Sequence, residues 1–348
     1  PSLINPELTW EKSTTKNLGF DFTFLQNRLT FCADIFERKV TDILIPGGKD
    51  YPALIGDDNL PFENVGVLKT TGFELQAKWS DKLSNGFAYS VGVALSDDKA
   101  EVLSYPSNPT NKIGDGVLYK GYTVGDIWGY ETGGILQESD FDGVGPNGKP
   151  LYHGAYFKGG QPYPGYVWYQ DLDHDGVITS GLSTVDDPGD KKVIGNNAPR
   201  YRYNITANFQ YKGFDLDLMF QGVGKRDYWL KDVSSYWGGG AGSWETYNQS
   251  WTPERTDAKF PMYGSGIGSY AQSGYLLDAS YIKLKQVILG YTFPKALIGK
   301  VGLKKLRLNI AAYNLFTLSD VPKYYDSDYL SDAYPPKRTF SVGIQVGF

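Results

Sequence analysis

The densest run of chemically competent side chains is DLDHDGVITSGL, residues 171–182. Asp171, Asp173 and Asp175 stand at alternate positions, Gly176 takes the sixth place and the Val177 carbonyl follows. That is the first half of an EF-hand-like loop for a hard cation such as Ca2+. The twelfth position is Leu182, where such a loop needs a bidentate Glu, so the missing oxygens fall to Asp186, Asp187 or Asp190. The competing reading is a loop of Asx turns, each carboxylate accepting from nearby backbone N–H groups. A structural Ca2+ in the 171–182 loop is therefore the one cofactor expectation, and nothing else in the sequence requires a cofactor.

Catalytic chemistry finds little support. His153 and His174 are the only histidines and Cys32 the only cysteine, too few for a His-dependent triad or a His-rich metal site. Carboxylate pairs for glycoside hydrolysis can be drawn from any chain with 39 acids, so none is diagnostic. The Gly-rich WGGGAGSW lacks the lysine and the strand–turn–helix setting of a phosphate cradle. No enzyme is expected. Binding is better represented. Aromatic rings crowd three places: Trp128 and Tyr130; Tyr163, Tyr166, Trp168 and Tyr169; and Trp237, Trp244, Tyr247 and Trp251. Flat rings beside Asn, Asp and Gln suit sugar C–H faces or peptide side chains, and equally suit packing of loops against one another or against a partner.

Elements that would position these groups are legible in composition and pattern. Aromatics make up 15% of the 348 residues, with 42 Gly and 2 Met, a bias toward β structure. A net charge of −5 with no basic stretch excludes a nucleic-acid binder. One cysteine excludes an intrachain disulfide, and no apolar run approaches the ~18 residues of a transmembrane helix. PSLINPELTW has neither a basic region nor an apolar core of a signal peptide, and Pro1 without Met suggests a longer polypeptide.

Period-two alternation recurs along the chain. Leu18, Phe20, Phe22 and Phe24 alternate with Gly19, Asp21 and Thr23; Leu29, Phe31, Ala33 and Ile35 with Thr30, Cys32 and Asp34; Phe73, Leu75, Ala77 and Trp79 with Glu74, Gln76 and Lys78. FAYSVGVALS continues the pattern over 87–96. In YRYNITANFQY, Tyr201 to Tyr211 share one parity and Arg202, Asn204, Asn208 and Gln210 the other. FDLDLMFQ follows from Phe214, and YIKLKQVILGYTF slips phase near Gln286, which suggests a bulge. LRLNIAAYN and the terminal RTFSVGIQVGF bring the set to nine strands. Several run to about 9–12 residues, the span of a tilted strand in a bilayer, and carry aromatics at their ends as interfacial girdles do.

Connectors alternate strictly. Those at 26–27, 80–85, 212–213 and 294–305 are short; those at roughly 46–65, 97–199, 225–279 and 318–337 are long. All long loops therefore lie on one side of the sheet, as in outer-membrane barrels with tight periplasmic turns and long extracellular loops. In lipid every backbone group must be paired, so only a closed barrel is allowed, and an even strand count places further strands outside 1–348. The expected fold is an all-β, antiparallel transmembrane β-barrel with Phe348 at the periplasmic rim.

Several ordered motifs then resemble one family. NPELTWEKSTTKNLGFDFTFLQNRLTFCADIFERKVTDIL, ENVGVLKTTGFEL, VGDIWGYETGGILQ, YQDLDHDGVIT, KKVIGNNAPRYRYNITANFQYKGFDLDLMFQGVG, SYIKLKQVILGYTFPK and LNIAAYNLFTLSD are similar to the C-terminal half of SusC/RagA-family TonB-dependent outer-membrane transporters. The resemblance covers nearly all of 1–348 and lacks the family's N-terminal extension, TonB box, plug and early strands. It implies the C-terminal portion of a plugged barrel of roughly 22 strands. It also implies a bacterial outer-membrane location, a SusD-like surface lipoprotein lid, energy from the TonB complex, and import of oligosaccharides or peptides. On this reading Arg202, Asn204, Asn208 and Gln210 line the lumen and some loop aromatics line the vestibule. A secreted carbohydrate-binding or hydrolytic β-protein, and a barrel or adhesin without transport, remain as alternatives.

Overall fold

The computed structural model describes residues 5–46, 61–229, 244–265, 270–322, 325–330 and 336–348. Nine strands form one sheet: β1 (Lys12–Phe24), β2 (Leu29–Pro46), β3 (Phe62–Lys82), β4 (Ala88–Ser104), β5 (Arg200–Tyr211), β6 (Phe214–Lys225), β7 (Tyr281–Thr292), β8 (Lys305–Ser319) and β9 (Thr339–Gly347). Each pairs antiparallel with its neighbour in chain order, so the sheet is an unbroken meander. These are the nine strands that the alternation marks.

Register keeps the two faces separate across all nine. One polar row runs Asp21, Cys32, Gln76, Ala94, Asn204, Gln221, Lys283 and Thr317 through successive cross-strand pairs. The apolar row Leu216, Leu289, Ile310 and Val342 runs likewise. A slip of one residue would swap the faces, and β7 meets that hazard at Lys285, where the register jumps between Leu284 and Gln286 on both sides. The extra residue keeps Leu284 and Val287 on the apolar face and Lys283 and Gln286 on the polar one. It is the bulge that the phase slip near Gln286 predicts.

Among the described residues no second layer covers the apolar face. Val93, Leu289 and Ile310, on inner strands, are 43%, 47% and 56% exposed, and Val342 is 76% exposed. A soluble sandwich would bury these positions. The well-packed residues lie instead among the long connections. Val102, Ile113, Tyr119 and Tyr122 form one cluster; Tyr130, Val167, Tyr169 and Ile178 a second; Ala279, Val321 and Leu330 a third.

Strands overrun the predicted bounds on the long-loop side. β2, β3 and β4 are 18, 21 and 17 residues long, well beyond the ~9–11 needed to cross a bilayer. Their outer halves lose the alternation because loops pack on them: Leu68 joins the first cluster, and Val102 accepts from the Gly121 amide and donates to the Tyr122 carbonyl. The expected long loops therefore shrink at their edges, and residues 47–60 of the first lie outside the described residues. The loop 105–199 carries short paired strands of its own, including Asp126–Tyr130 with Lys191–Asn196 and Thr132–Ile135 with Val167–Tyr169.

The last long loop is tied to the polar face by charge. Lys283 is 2% exposed, and its ammonium donates to Asp326 at 3.0 and 3.1 Å and to Asp328 at 2.8 Å; Lys285 reaches Asp328 at 3.2 Å. Burial alone would raise the Asp328 carboxyl, but hydrogen bonds from Lys283, Tyr281 and Lys285 outweigh it and hold that carboxyl below the usual carboxylate range.

Three outcomes follow for the full-length protein. Val342→Lys, near the middle of β9 on the apolar face, should cost about 2–4 kcal/mol of unfolding free energy in lipid vesicles, and Ser341→Lys on the other face well under that; equal costs would contradict the sidedness. Asp326→Asn/Asp328→Asn leaves Lys283 buried and unpaired, which costs about 3–5 kcal/mol and should make the 320–338 loop the fastest site of limited proteolysis. Because the Asp328 carboxyl is depressed, its contribution is complete above the ordinary carboxylate pKa of about 3.9 and is lost as pH falls through the lower folded value. Protection of that loop should therefore persist at pH 5 and fail only in stronger acid.

Candidate functional site

The polar face of the sheet is a cross-strand network. Asn208 on β5 donates to Asp217 on β6 at 2.8 Å and accepts from Ser90 on β4 at 3.2 Å. Arg307 on β8 pairs with Asp215 on β6, and Arg202 on β5 pairs with Asp98 on β4. Asn17 on β1 donates to Asp34 on β2 at 3.0 Å. Small residues let these long side chains lie flat: a Cβ on Gly290 would meet both Asp215 and Arg307 within 2.6 Å. These charges thus sit beside an opposite charge or an amide donor, so the two arginines are offset in place and the remaining carboxylates are hydrogen-bonded.

Several concavities open on that face, and two of them hold the residues expected on the lumen side. One of about 660 Å³ lies toward the long loops and is lined by Cys32, Asp34, Gln76, Arg202, Asn204 and Gln221, among others. A second of about 430 Å³ lies toward the short turns, with Lys82, Ser90, Asn208 and Gln210 on its walls. The four residues expected on the lumen side therefore share one face and divide between two hollows. Cys32 lies on the same face.

The structure places the loop aromatics differently from one another. Tyr130 and Tyr169 are 4% and 1% exposed, with ring centroids 5.0 Å apart. Burial pushes the Tyr130 hydroxyl up to about 12 and raises that of Tyr169 as well. Trp251 is 3% exposed and donates its indole N–H to Gln137 at 3.0 Å. Trp128 donates to the Tyr119 hydroxyl at 3.0 Å, and the Trp168 ring covers Gly133, where any Cβ would come within 2.3 Å of it. These five rings pack the loops together. Trp244 is different: it is 75% exposed and stacks on Tyr247 at 5.3 Å. Trp237 lies outside the described residues.

Gln272 shows how the long loops join. It is fully buried, donates to the Tyr169 hydroxyl at 3.1 Å and accepts from Thr132 at 3.1 Å, so 226–280 is pinned to 105–199.

In the Asp-rich loop, Asp171 and Asp173 converge with Asp190, their oxygens within 4.8 Å of one another. Asp190 is fully buried and accepts from the Leu172 and Thr179 amides, each at 2.7 Å. Asp175 is outside this group; it accepts from the Val177 amide at 2.8 Å, an Asx turn, and Val177 itself pairs with Tyr156. Asp190 rather than Asp175 thus completes a carboxylate trio, and the Asx turn at Asp175 belongs to the competing reading. Asp171 Oδ1 is buried without a hydrogen-bond partner, while Oδ2 accepts from Gly176 at 2.8 Å. Partial burial raises the Asp171 carboxyl, but the backbone N–H groups prevail and lower it. The Asp175 amide lowers Asp173, yet desolvation and the like charges of Asp190 and Asp175 win and raise it.

Sequence reading missed the Lys283 clamp, although its signal is visible afterwards: Lys283 and Lys285 alternate on a strand, and Asp326 and Asp328 alternate in a loop 43 residues later. His153 pairs with Asp142 at 2.7 Å on an exposed loop hairpin.

Comparison with known proteins agrees with this architecture. A family model described as TonB dependent receptor-like, beta-barrel, matches residues 2–315. The chain is 27% identical over 372 residues to TonB-dependent receptor P3 of Formosa agariphila, covering 99% of this chain and 35% of that receptor. It is 26% identical over 367 residues to TonB-dependent receptor SusC of Bacteroides thetaiotaomicron, covering 100% of this chain and 33% of that protein. The solved RagAB peptide transporter superposes with a TM-score of 0.71 at 20% identity, and RagAB in its open-open state with 0.73 at 21%; these cover 99% of this chain and 36% and 35% of theirs, and show a shared fold. The chain thus spans about a third of the length of the curated relatives it matches. A nine-stranded meander, oily outside and hydrogen-bonded inside, is a segment of barrel wall, and the chain belongs to the TonB dependent receptor-like β-barrel family.

Proposed function

We propose that these residues form barrel wall and extracellular loops of an outer-membrane importer that takes up oligosaccharides or peptides, powered through the TonB complex and lidded by a SusD-like surface lipoprotein. The observation that carries this reading is the two-faced sheet. Val93, Leu289, Ile310 and Val342 present hydrocarbon to the outside, while Arg202, Asn204 and Gln221 surround a hollow on the inside. Family membership and the names of the relatives, SusC and the RagAB peptide transporter, support import over a secreted or purely structural role. The long loops then face outward and the short turns face the periplasm. Hydroxyl- and amide-rich substrates suit a wall of amides and hydrogen-bonded charges, because they can donate to and accept from it without leaving a group unpaired.

The same reading assigns a structural Ca2+ to the Asp-rich loop, with Asp171, Asp173 and Asp190 as its carboxylate ligands. The orphaned Oδ1 of Asp171 supports it, since a buried carboxylate oxygen without a donor is costly unless a cation meets it.

Import is tested with the full-length receptor and its lipoprotein in the source bacterium. Disruption should abolish uptake of either an oligosaccharide pool or a peptide pool, and loss of TonB should do the same. Arg202→Ala/Asn204→Ala should weaken uptake of that pool about tenfold while heat-modifiable gel mobility is unchanged. Unaltered uptake of both pools after disruption would refute the transport reading. For the loop, Ca2+-displaceable terbium luminescence should appear in the full-length protein, vanish in Asp173→Asn and persist in Asp175→Asn; no displaceable signal would remove the cation.

A further inference from the structure

Charge is distributed unevenly between the two sides of this sheet. The protein carries −5 overall, yet no acidic residue occurs between Asp278 and Asp320. That stretch holds the longest of the short turns, 293–304, with Lys295, Lys300 and Lys304, all exposed. Among the described residues no carboxylate pairs with these three. The acids nearest the short-turn side are committed elsewhere: Asp81 to Arg28 at 3.3 Å, Asp215 to Arg307, and Asp217 to Asn208. Lys212, in the neighbouring turn, is also exposed and lies over the Tyr211 ring at 5.1 Å. The two turns touch, since the Thr292 amide donates to the Gly213 carbonyl at 2.7 Å.

Just inside these lysines runs a belt of rings. Phe87 stacks on Tyr89 at 5.9 Å and on Phe209 at 6.2 Å, and meets Tyr211 at 6.2 Å. Phe214, Tyr291 and Phe293 follow at 4.5 and 4.9 Å, and Phe20, Phe22 and Phe24 continue it on β1. Such rings settle where acyl chains give way to headgroups. The turn itself is amphipathic. Its short helix, α1 (Lys295–Ile298), buries Ile298 and leaves Leu297 58% exposed among the lysines. An outward leucine is unfavourable in water, but beside lysines at headgroup depth both have a partner: the acyl boundary for Leu297 and phosphate for the ammonium groups.

We propose that the 293–304 turn, with Lys212, forms a cationic collar that binds the phosphates of anionic phospholipid headgroups in the leaflet on the short-turn side. This rests on the membrane-spanning reading above. It adds to it a lipid class, a leaflet and the residues that hold it. Each lysine near an anionic surface contributes about fivefold in local lipid occupancy at low salt, and the effect fades within a Debye length as salt rises.

The test uses the full-length receptor, purified in detergent with equal phosphatidylglycerol and phosphatidylcholine, and native mass spectrometry of the lipids it retains. Wild type should keep phosphatidylglycerol over phosphatidylcholine by about fivefold or more. Lys295→Gln/Lys300→Gln/Lys304→Gln should lower that ratio at least about fivefold, with Lys212 left in place. Lys120→Gln/Lys149→Gln/Lys259→Gln, which removes the same charge from the long-loop side, should leave it unchanged. Equal retention of both lipids by wild type, or the same preference in the first variant, overturns the collar. Heat-modifiable mobility is read on every sample: its absence in wild type refutes the membrane barrel itself, whereas a folded barrel without lipid preference refutes the collar alone.

Discussion

Everything in this molecule depends on pairing the peptide groups of a surface that has hydrocarbon on one side. In a soluble sheet, water can satisfy an exposed N–H or C=O; beside lipid it cannot, and each unpaired group costs several kcal/mol. The meander of β1 to β9 answers this by joining every strand to the next in chain order, so that the wall is built from local antiparallel pairs. Register then does the chemical sorting. Because side chains alternate, one alignment sends Leu289, Ile310 and Val342 outward and Asn204, Gln221 and Lys283 inward. The bulge at Lys285 shows how strict the sorting is: the sequence departs from period two there, and the strand absorbs an extra residue rather than invert its faces.

The polar face has a problem of its own, because it carries Arg202, Arg307, Lys283, Asp215 and Asp217 in a confined space. Its solution is neutralisation in place. Ion pairs and amide bridges cross from strand to strand, so they brace the wall laterally while cancelling fixed charge. Where a cation is fully covered, at Lys283, two carboxylates from a distant loop supply the compensation, and the loop is anchored as a consequence. Burying one charge and placing one loop are the same event. Such a clamp is as strong as its weakest desolvated partner and fails as a unit.

Much of the wall was readable in the amino-acid order. Alternation marks all nine strands, the faces and the bulge near Gln286, because a sheet flanked by lipid and water imposes its period directly on side-chain polarity. Strand ends were not readable: Phe62–Thr71 of β3 lies where loops, not lipid, cover the sheet, and there the selection for alternation lapses. The loops were least legible. Tyr130, Tyr169 and Trp251 look like ligand platforms by type, but their burial depends on Gln272 and Gln137, which lie more than a hundred residues from some of the rings they hold. Asp190 joined Asp171 and Asp173 through backbone amides at Leu172 and Thr179, a geometry no spacing rule encodes. Sequence period reports the environment of a strand; contacts between distant loops leave no period to report.

These differences divide the molecule by stiffness. The wall is held by continuous ladders, and the loops 105–199 and 226–280 share a core built on Tyr130, Tyr169 and the buried Gln272. Opening a path past that core would expose packed rings and orphan a buried amide, so the two loops are constrained to shift together rather than fold away singly. The last long loop joins 226–280 through the cluster of Ala279, Val321 and Leu330 and through the Tyr228 hydroxyl, which donates to the Leu330 carbonyl, and Lys283 ties it to the wall. On the proposed reading, substrate reaches a polar hollow under one rigid shelf of loop and one charge-held flap. One tie of the flap is the charge clamp at Lys283, whereas the shelf is tied by aromatic burial that no change of protonation near neutrality would loosen.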